Sequence, residues 1–168
     1  NKIELMSPAG DFESLQAALD NGADSIYFGV EQLNMRARST VNFTVENLKE
    51  IANRCEAKKV RSYLTLNTII YDHDLSVVKT LLNKAKEANI TAVIASDQAV
   101  IAMARSIGME VHISTQLNVT NIETIKFYSL FADTMVLSRE LSLRQVKNIA
   151  AQIEKEQIKG PNGNLVEI

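Results

Sequence analysis

What this 168-residue chain lacks narrows its class at once. It has no tryptophan and one cysteine, Cys55. A single thiol gives no intrachain disulfide and no cysteine metal cluster from these residues alone. With two prolines and six glycines, collagen-like and Pro/Gly-rich low-complexity chains are excluded. No apolar run approaches the ~18 residues that span a bilayer. The opening Asn1-Lys2-Ile3-Glu4-Leu5 carries no signal-peptide core, so a cytoplasmic protein is expected. Lys+Arg 18 against Asp+Glu 20 leave a net charge of -2. Without a global basic field, any nucleic-acid contact has to be a local patch. A Gly-x-Ser-x-Gly elbow, a His-Glu-x-x-His helix and a Gly-rich phosphate loop are all missing.

What is present alternates. Short β-type runs are predicted over 3–6, 25–30, 61–70, 92–97, 110–116 and 134–138, and residues 165–168 open a seventh. Helical stripes fall between them, over 12–20, 45–57, 73–89, 98–107, 121–132 and 141–153. Asp11 and Thr44 read as helix caps. Cys55 lies on the stripe of Leu48, Ile51 and Ala52 and is expected in the core. Strict βα alternation implies parallel strands with helical crossovers, which suits either an open doubly wound sheet or a (β/α)₈ barrel.

Side-chain parity favours the barrel. Strands covered on both faces are apolar at every position. Here Val111 and Ile113 alternate with His112, Ser114 and Gln116, and Leu64 and Leu66 alternate with Tyr63, Thr65 and Asn67. Strand starts near residues 3 and 165 are six units apart, about 27 residues per unit, whereas a full barrel runs to roughly 250 residues. The expected fold is therefore a TIM-barrel-like α/β repeat, an incomplete barrel of about six units plus the start of a seventh strand.

Sites in such folds sit at the C-terminal ends of strands. That rim collects Pro8 and Gly10, Asn67, Asp97, Ser114, Gln116 and Asn118, and Arg139 and Glu140. Arg36 and Arg38 lie on the long connection after the second strand. Amides suit orientation of a polar substrate, and arginines suit bidentate capture of carboxylate or phosphate. Each has an alternative: an Asx turn for Asn67, an N-cap for Asp97, a satisfied barrel layer for Ser114 and Gln116 with His112, a surface ion pair for Arg139 and Glu140, and plain solvation for Arg36 and Arg38. Pro8 and Gly10 before a helix form a weak candidate anion loop. His112 and Ser114 share a face but stand roughly 6.6 Å apart along the strand, too far for a direct nucleophile–base bond.

These residues resemble a known family. Leu5-Met6-Ser7-Pro8-Ala9-Gly10-Asp11, Gly22-Ala23-Asp24-Ser25-Ile26-Tyr27-Phe28-Gly29, Met35-Arg36-Ala37-Arg38 with Asn42-Phe43, Thr65-Leu66-Asn67, Ser114-Thr115-Gln116-Leu117-Asn118-Val119-Thr120-Asn121 and Val136-Leu137-Ser138-Arg139-Glu140-Leu141-Ser142 are similar, in order, to motifs of the collagenase-like peptidase family U32. The resemblance implies an N-terminal barrel segment (residues 1–168) of a larger protein. It also implies a later cysteine region holding a 4Fe-4S cluster in the full-length parent. Family members are named as peptidases, or implicated in hydroxylating tRNA or rRNA bases with prephenate as hydroxyl source, or in ubiquinone hydroxylation. The resemblance makes a prephenate-like anion and RNA the expected partners and RNA-base hydroxylation the leading expectation. Peptide hydrolysis and a non-catalytic binding or assembly role are the alternatives. The segment alone is expected to be inactive, with an open edge near Leu165 prone to self-association.

Overall fold

The computed structural model describes residues 3–30 and 43–168. Six strands, β1 (Met6–Pro8), β2 (Ser25–Phe28), β3 (Arg61–Leu66), β4 (Ala92–Ala95), β5 (Glu110–Ile113) and β6 (Thr134–Met135), pair in chain order. Every pairing is parallel. The helices between them are α1 (Phe12–Asp20), α2 (Leu48–Ala57), α3 (Leu75–Glu87), α4 (Gln98–Ser106), α5 (Ile122–Tyr128) and α6 (Leu143–Glu156). A doubly wound sheet reverses strand order at a switch point. This order never reverses, so the sheet curls as part of a barrel.

One parity of each central strand joins the helices in the main core. Leu64, Leu66, Val93, Ala95, Val111 and Ile113 cluster with Leu15, Ile51, Leu82, Val100 and Ile125. The other parity faces the concave side, where Tyr63, Ala92 and Ile94 form a separate cluster with Tyr27 packed against it. His112 and Ser114 are buried as well. The polar lining expected from parity is thus mixed: polar in β5, apolar in β4.

Several boundaries differ from expectation. The first strand begins at Met6 and includes Pro8, where a strand over 3–6 is expected. Pro8 is tolerated because β1 is an edge strand, and the ladder resumes where Ala9 N–H donates to Tyr27 O at 3.0 Å. The third, fourth and fifth strands stop at Leu66, Ala95 and Ile113. Short 3₁₀ turns, Val45–Asn47 and Asp72–Asp74, lead into α2 and α3. Beyond α6, Lys159 and Leu165 form an antiparallel bridge, and Glu167 lies parallel to Thr134. The seventh strand does begin there, Met135 N–H donating to Glu167 O at 2.9 Å. The edge near Leu165 is occupied by this hairpin.

The hairpin depends on a close approach. A Cβ on Gly160 would fall 2.5 Å from Asp133 Oδ1 and 2.8 Å from its Cα. Glycine brings the loop close enough for Asn162 N–H to donate to Asp133 Oδ1 at 2.9 Å.

Candidate functional site

The two ends of the barrel segment differ chemically. Charged residues open the strands at the N-terminal end. The Arg61 guanidinium pairs with Glu4 and lies 4.0 Å from Glu167. It also stands 5.6 Å from the centre of the Tyr63 ring. Tyr63 O–H donates to Glu4 Oε1 at 2.8 Å, and its ring meets His112 edge-on at 4.5 Å. His112 Nε2 lies 2.9 Å from Glu110 Oε1, a hydrogen bond in which Nε2 carries the proton. Burial pushes the Tyr63 phenol up to about 12, so it stays a donor at neutral pH. The His112 hydrogen bond holds Glu110 below the ordinary carboxylate value. These groups satisfy one another and form a floor.

The C-terminal ends form the rim. Asn67 follows β3 directly and is half-buried. Two residues back, Thr65 carries a buried hydroxyl oxygen without a hydrogen-bond partner among the described residues. It shares the concave parity of Tyr63, one strand repeat (roughly 6.6 Å) below Asn67. A buried unsatisfied hydroxyl is costly, and a ligand polar atom would relieve it. Residue type alone singles out Asn67 and not Thr65. Its signal was present: Thr65 sits in the polar parity between Tyr63 and Asn67.

Asp97 caps α4. Its Oδ1 accepts Ala99 N–H at 2.8 Å and its Oδ2 accepts Ile70 N–H at 3.4 Å. Both carboxylate oxygens therefore have backbone partners. It also shares parity with Val93 and Ala95, which pack toward the helices. Ser114 is buried and its hydroxyl accepts Gln116 N–H at 3.4 Å, starting a 3₁₀ turn over Thr115–Leu117. Gln116 and Asn118 consequently leave the strand and are exposed rather than lining a barrel wall. Asn118 is left-handed at φ 50, which asparagine tolerates better than most residues.

Buried Val119 pins this loop, and its carbonyl accepts Ser138 N–H at 2.9 Å. That bond joins the loops after β5 and β6. Gln116, Asn118, Arg139 and Glu140 are thereby gathered on adjacent loops. Arg139 and Glu140 are exposed, and the Ser138 hydroxyl holds the Glu140 carboxylate below the ordinary range.

Pro8 and Gly10 lie at the far edge of the sheet from β6 and are exposed. Gly10 N–H donates to Ser14 Oγ at 3.1 Å, and the Asp11 carboxylate accepts Ser14 N–H at 2.7 Å. The end of α1 therefore already holds a negative side chain. Arg36 and Arg38 lie outside the described residues.

Among the described residues no hydrogen bond joins His112 and Ser114: His112 Nε2 is bonded to Glu110 Oε1, and the Ser114 hydroxyl accepts Gln116 N–H. Among the described residues no group of three or more His, Cys, Asp or Glu could hold a metal ion. Cys55 is buried in α2. An iron–sulfur cluster needs several thiolates, so these residues do not fit one.

A one-way parallel βα sheet, helices on its convex side, a charged, hydrogen-bonded floor and a polar rim define an incomplete (β/α)-barrel domain. Solved structures agree on the fold. A U32 peptidase superposes with a TM-score of 0.72 at 14% identity, covering 89% of this chain and 65% of that one. The tryptophan synthase alpha chain from Legionella pneumophila gives 0.56 at 19% identity, covering 94% and 69%. Peptidase family U32 matches residues 10–159, and the chain belongs to that family.

Its relatives carry two kinds of name. A collagenase of Porphyromonas gingivalis is 52% identical over all of this chain and 41% of its own length. A tRNA hydroxylation protein P of Helicobacter pylori is 37% identical over 92% of this chain and 36% of its own. The 23S rRNA 5-hydroxycytidine C2501 synthase of Escherichia coli is 29% identical over 89% and 22%. The chain thus spans about two fifths or less of these relatives' lengths. Among the described residues no helix is long and apolar enough to cross a membrane.

Proposed function

We propose that this chain is the substrate-holding barrel segment of an enzyme that hydroxylates RNA bases, using a small prephenate-like anion as the hydroxyl source. The observation that carries the reading is the Thr65 hydroxyl beneath Asn67, on the concave face just below the rim, buried without a partner among the described residues. A polar planar substrate supplies the hydrogen bond that the Thr65 hydroxyl lacks. Asn67 and Gln116 orient it, while Arg36, Arg38 and Arg139 attract the anion, with Ser114, Asn118 and Glu140 framing the rim. Relatives named for tRNA and rRNA hydroxylation align across most of the chain, which supports the substrate class. A 4Fe-4S cluster in the parent would draw its thiolates from outside these residues, which hold only Cys55.

Mass spectrometry of tRNA and rRNA nucleosides from a deletion strain tests the reading. Hydroxylated pyrimidines should disappear and return on complementation. Complementation with Thr65→Val or Asn67→Ala should return less than a tenth of the wild-type level. Unchanged hydroxynucleosides in the deletion strain overturn the reading.

The 52% identity to a collagenase favours peptide hydrolysis as a second reading. It requires a nucleophile and base that His112 and Ser114 do not supply. Gelatin cleavage that survives purification to homogeneity and responds to rim substitutions would establish it instead.

A further inference from the structure

Helix α6 is charged against its own dipole. The N-terminus of a helix carries partial positive charge and favours acidic side chains. Helices α1, α2 and α5 follow the rule, with Glu13, Glu50 and Glu123 in their first turns. Helix α6 has a neutral Ser142 cap, no acid in its first turn, and Arg144 and Lys147 within its first five residues. Arg139 stands three residues before the cap.

All three cations are exposed, and among the described residues none has a carboxylate oxygen within 4 Å. By contrast, Arg54, Lys58 and Lys126 pair with Glu50, Asp20 and Glu123. The only acid between residues 139 and 153 is Glu140, whose carboxylate is occupied by the Ser138 hydroxyl. Arg144 and Lys147 are three residues apart and so share one helix face. The bond from Ser138 N–H to Val119 O sets the loop of Arg139, from which α6 starts, beside the loop of Gln116 and Asn118. Like charges at a helix N-terminus repel both each other and the dipole, a cost that an external polyanion removes.

We infer that Arg139, Arg144 and Lys147 form a phosphate-binding strip that docks the sugar–phosphate backbone of the RNA substrate beside the barrel rim. This rests on the RNA reading above and gives it a footprint. In a chain with a net charge of -2, such a strip is the local patch that RNA binding requires. Arginine supplies bidentate phosphate contacts and lysine a point charge.

The test titrates the full chain with a fluorescein-labelled, unmodified tRNA transcript across a salt series. The comparison is with R139A/R144A/K147A and with a charge-matched control on other helices, K49A/K79A/K84A. Circular dichroism and melting should match wild type, since all six positions are exposed. Loss of three phosphate contacts should weaken binding at least ~10-fold near physiological salt and reduce the slope of log K against log salt by about 2, with the control nearly unchanged. Equal loss in both variants, no loss in the strip variant, or no binding by wild type overturns the proposal. An acidic gelatin peptide that binds through the strip while the transcript does not also overturns it. The hydroxylation reading stands or falls separately, on the nucleoside measurement in the deletion strain.

Discussion

Cys55 shows how one residue's surroundings set its chemistry. It is 1% exposed on α2, between Ile51 and the strand layer, and burial pushes its thiol up to about 11. Only the thiolate attacks electrophiles or binds metals. The native protein should therefore react with iodoacetamide roughly a hundredfold more slowly than the urea-unfolded chain at mildly alkaline pH, as followed by intact-mass spectrometry. Rapid native labelling would mean α2 opens locally. The burial of Cys55 was legible in the sequence, because its helical stripe with Leu48, Ile51 and Ala52 needs no tertiary information. The Thr65 hydroxyl was only half legible. Parity places it inward, but its lack of a partner depends on neighbouring strands.

At the scale of elements, caps decide where strands end and helices begin. Asp97 is a cap by geometry, accepting Ala99 N–H and Ile70 N–H. D97A should lower unfolding stability by about 1–2 kcal/mol in a urea titration, while D97N, which keeps a capping oxygen, should lose only a few tenths. A D97N variant as unstable as D97A would show that charge rather than capping matters there. The order of elements was readable because each helix carries its own apolar stripe. Strand lengths were not. Alternation of apolar and polar residues continues past Ile113 into Ser114–Leu117, yet the Ser114 hydroxyl turns the chain there. The register of β1 was equally hidden, since Pro8 reads as a strand stop until its edge position is known. Alternation extends the fifth strand to Gln116, and the turn that takes Gln116 out of it and exposes Gln116 and Asn118 is not legible there.

For the molecule as a whole, the floor links strands distant in sequence. Glu4, Arg61, Tyr63, Glu110 and His112 come from β3, β5 and the segment before β1. Glu110 has its carboxyl pKa lowered, chiefly by the His112 hydrogen bond. Its stabilisation is therefore complete above the ordinary carboxylate value of 4.5 and is lost as pH falls below it toward the folded-state value. E110Q should be less stable than wild type at pH 7 and should show a flatter loss of stability below about pH 4.5, measured by thermal melts across pH. Identical acid limbs would show that Glu110 does not couple to folding.

The same floor sets how stability varies with temperature. Exposing apolar surface raises the heat capacity of unfolding and exposing polar surface lowers it, with a typical net of about 12–15 cal/mol/K per residue. A barrel segment lined partly by carboxylates, a guanidinium, an imidazole and a phenol sits toward the low end of that range. Its stability curve is correspondingly broad, so warming and cooling alike erode it more gently than they would a hydrocarbon-lined barrel of the same length.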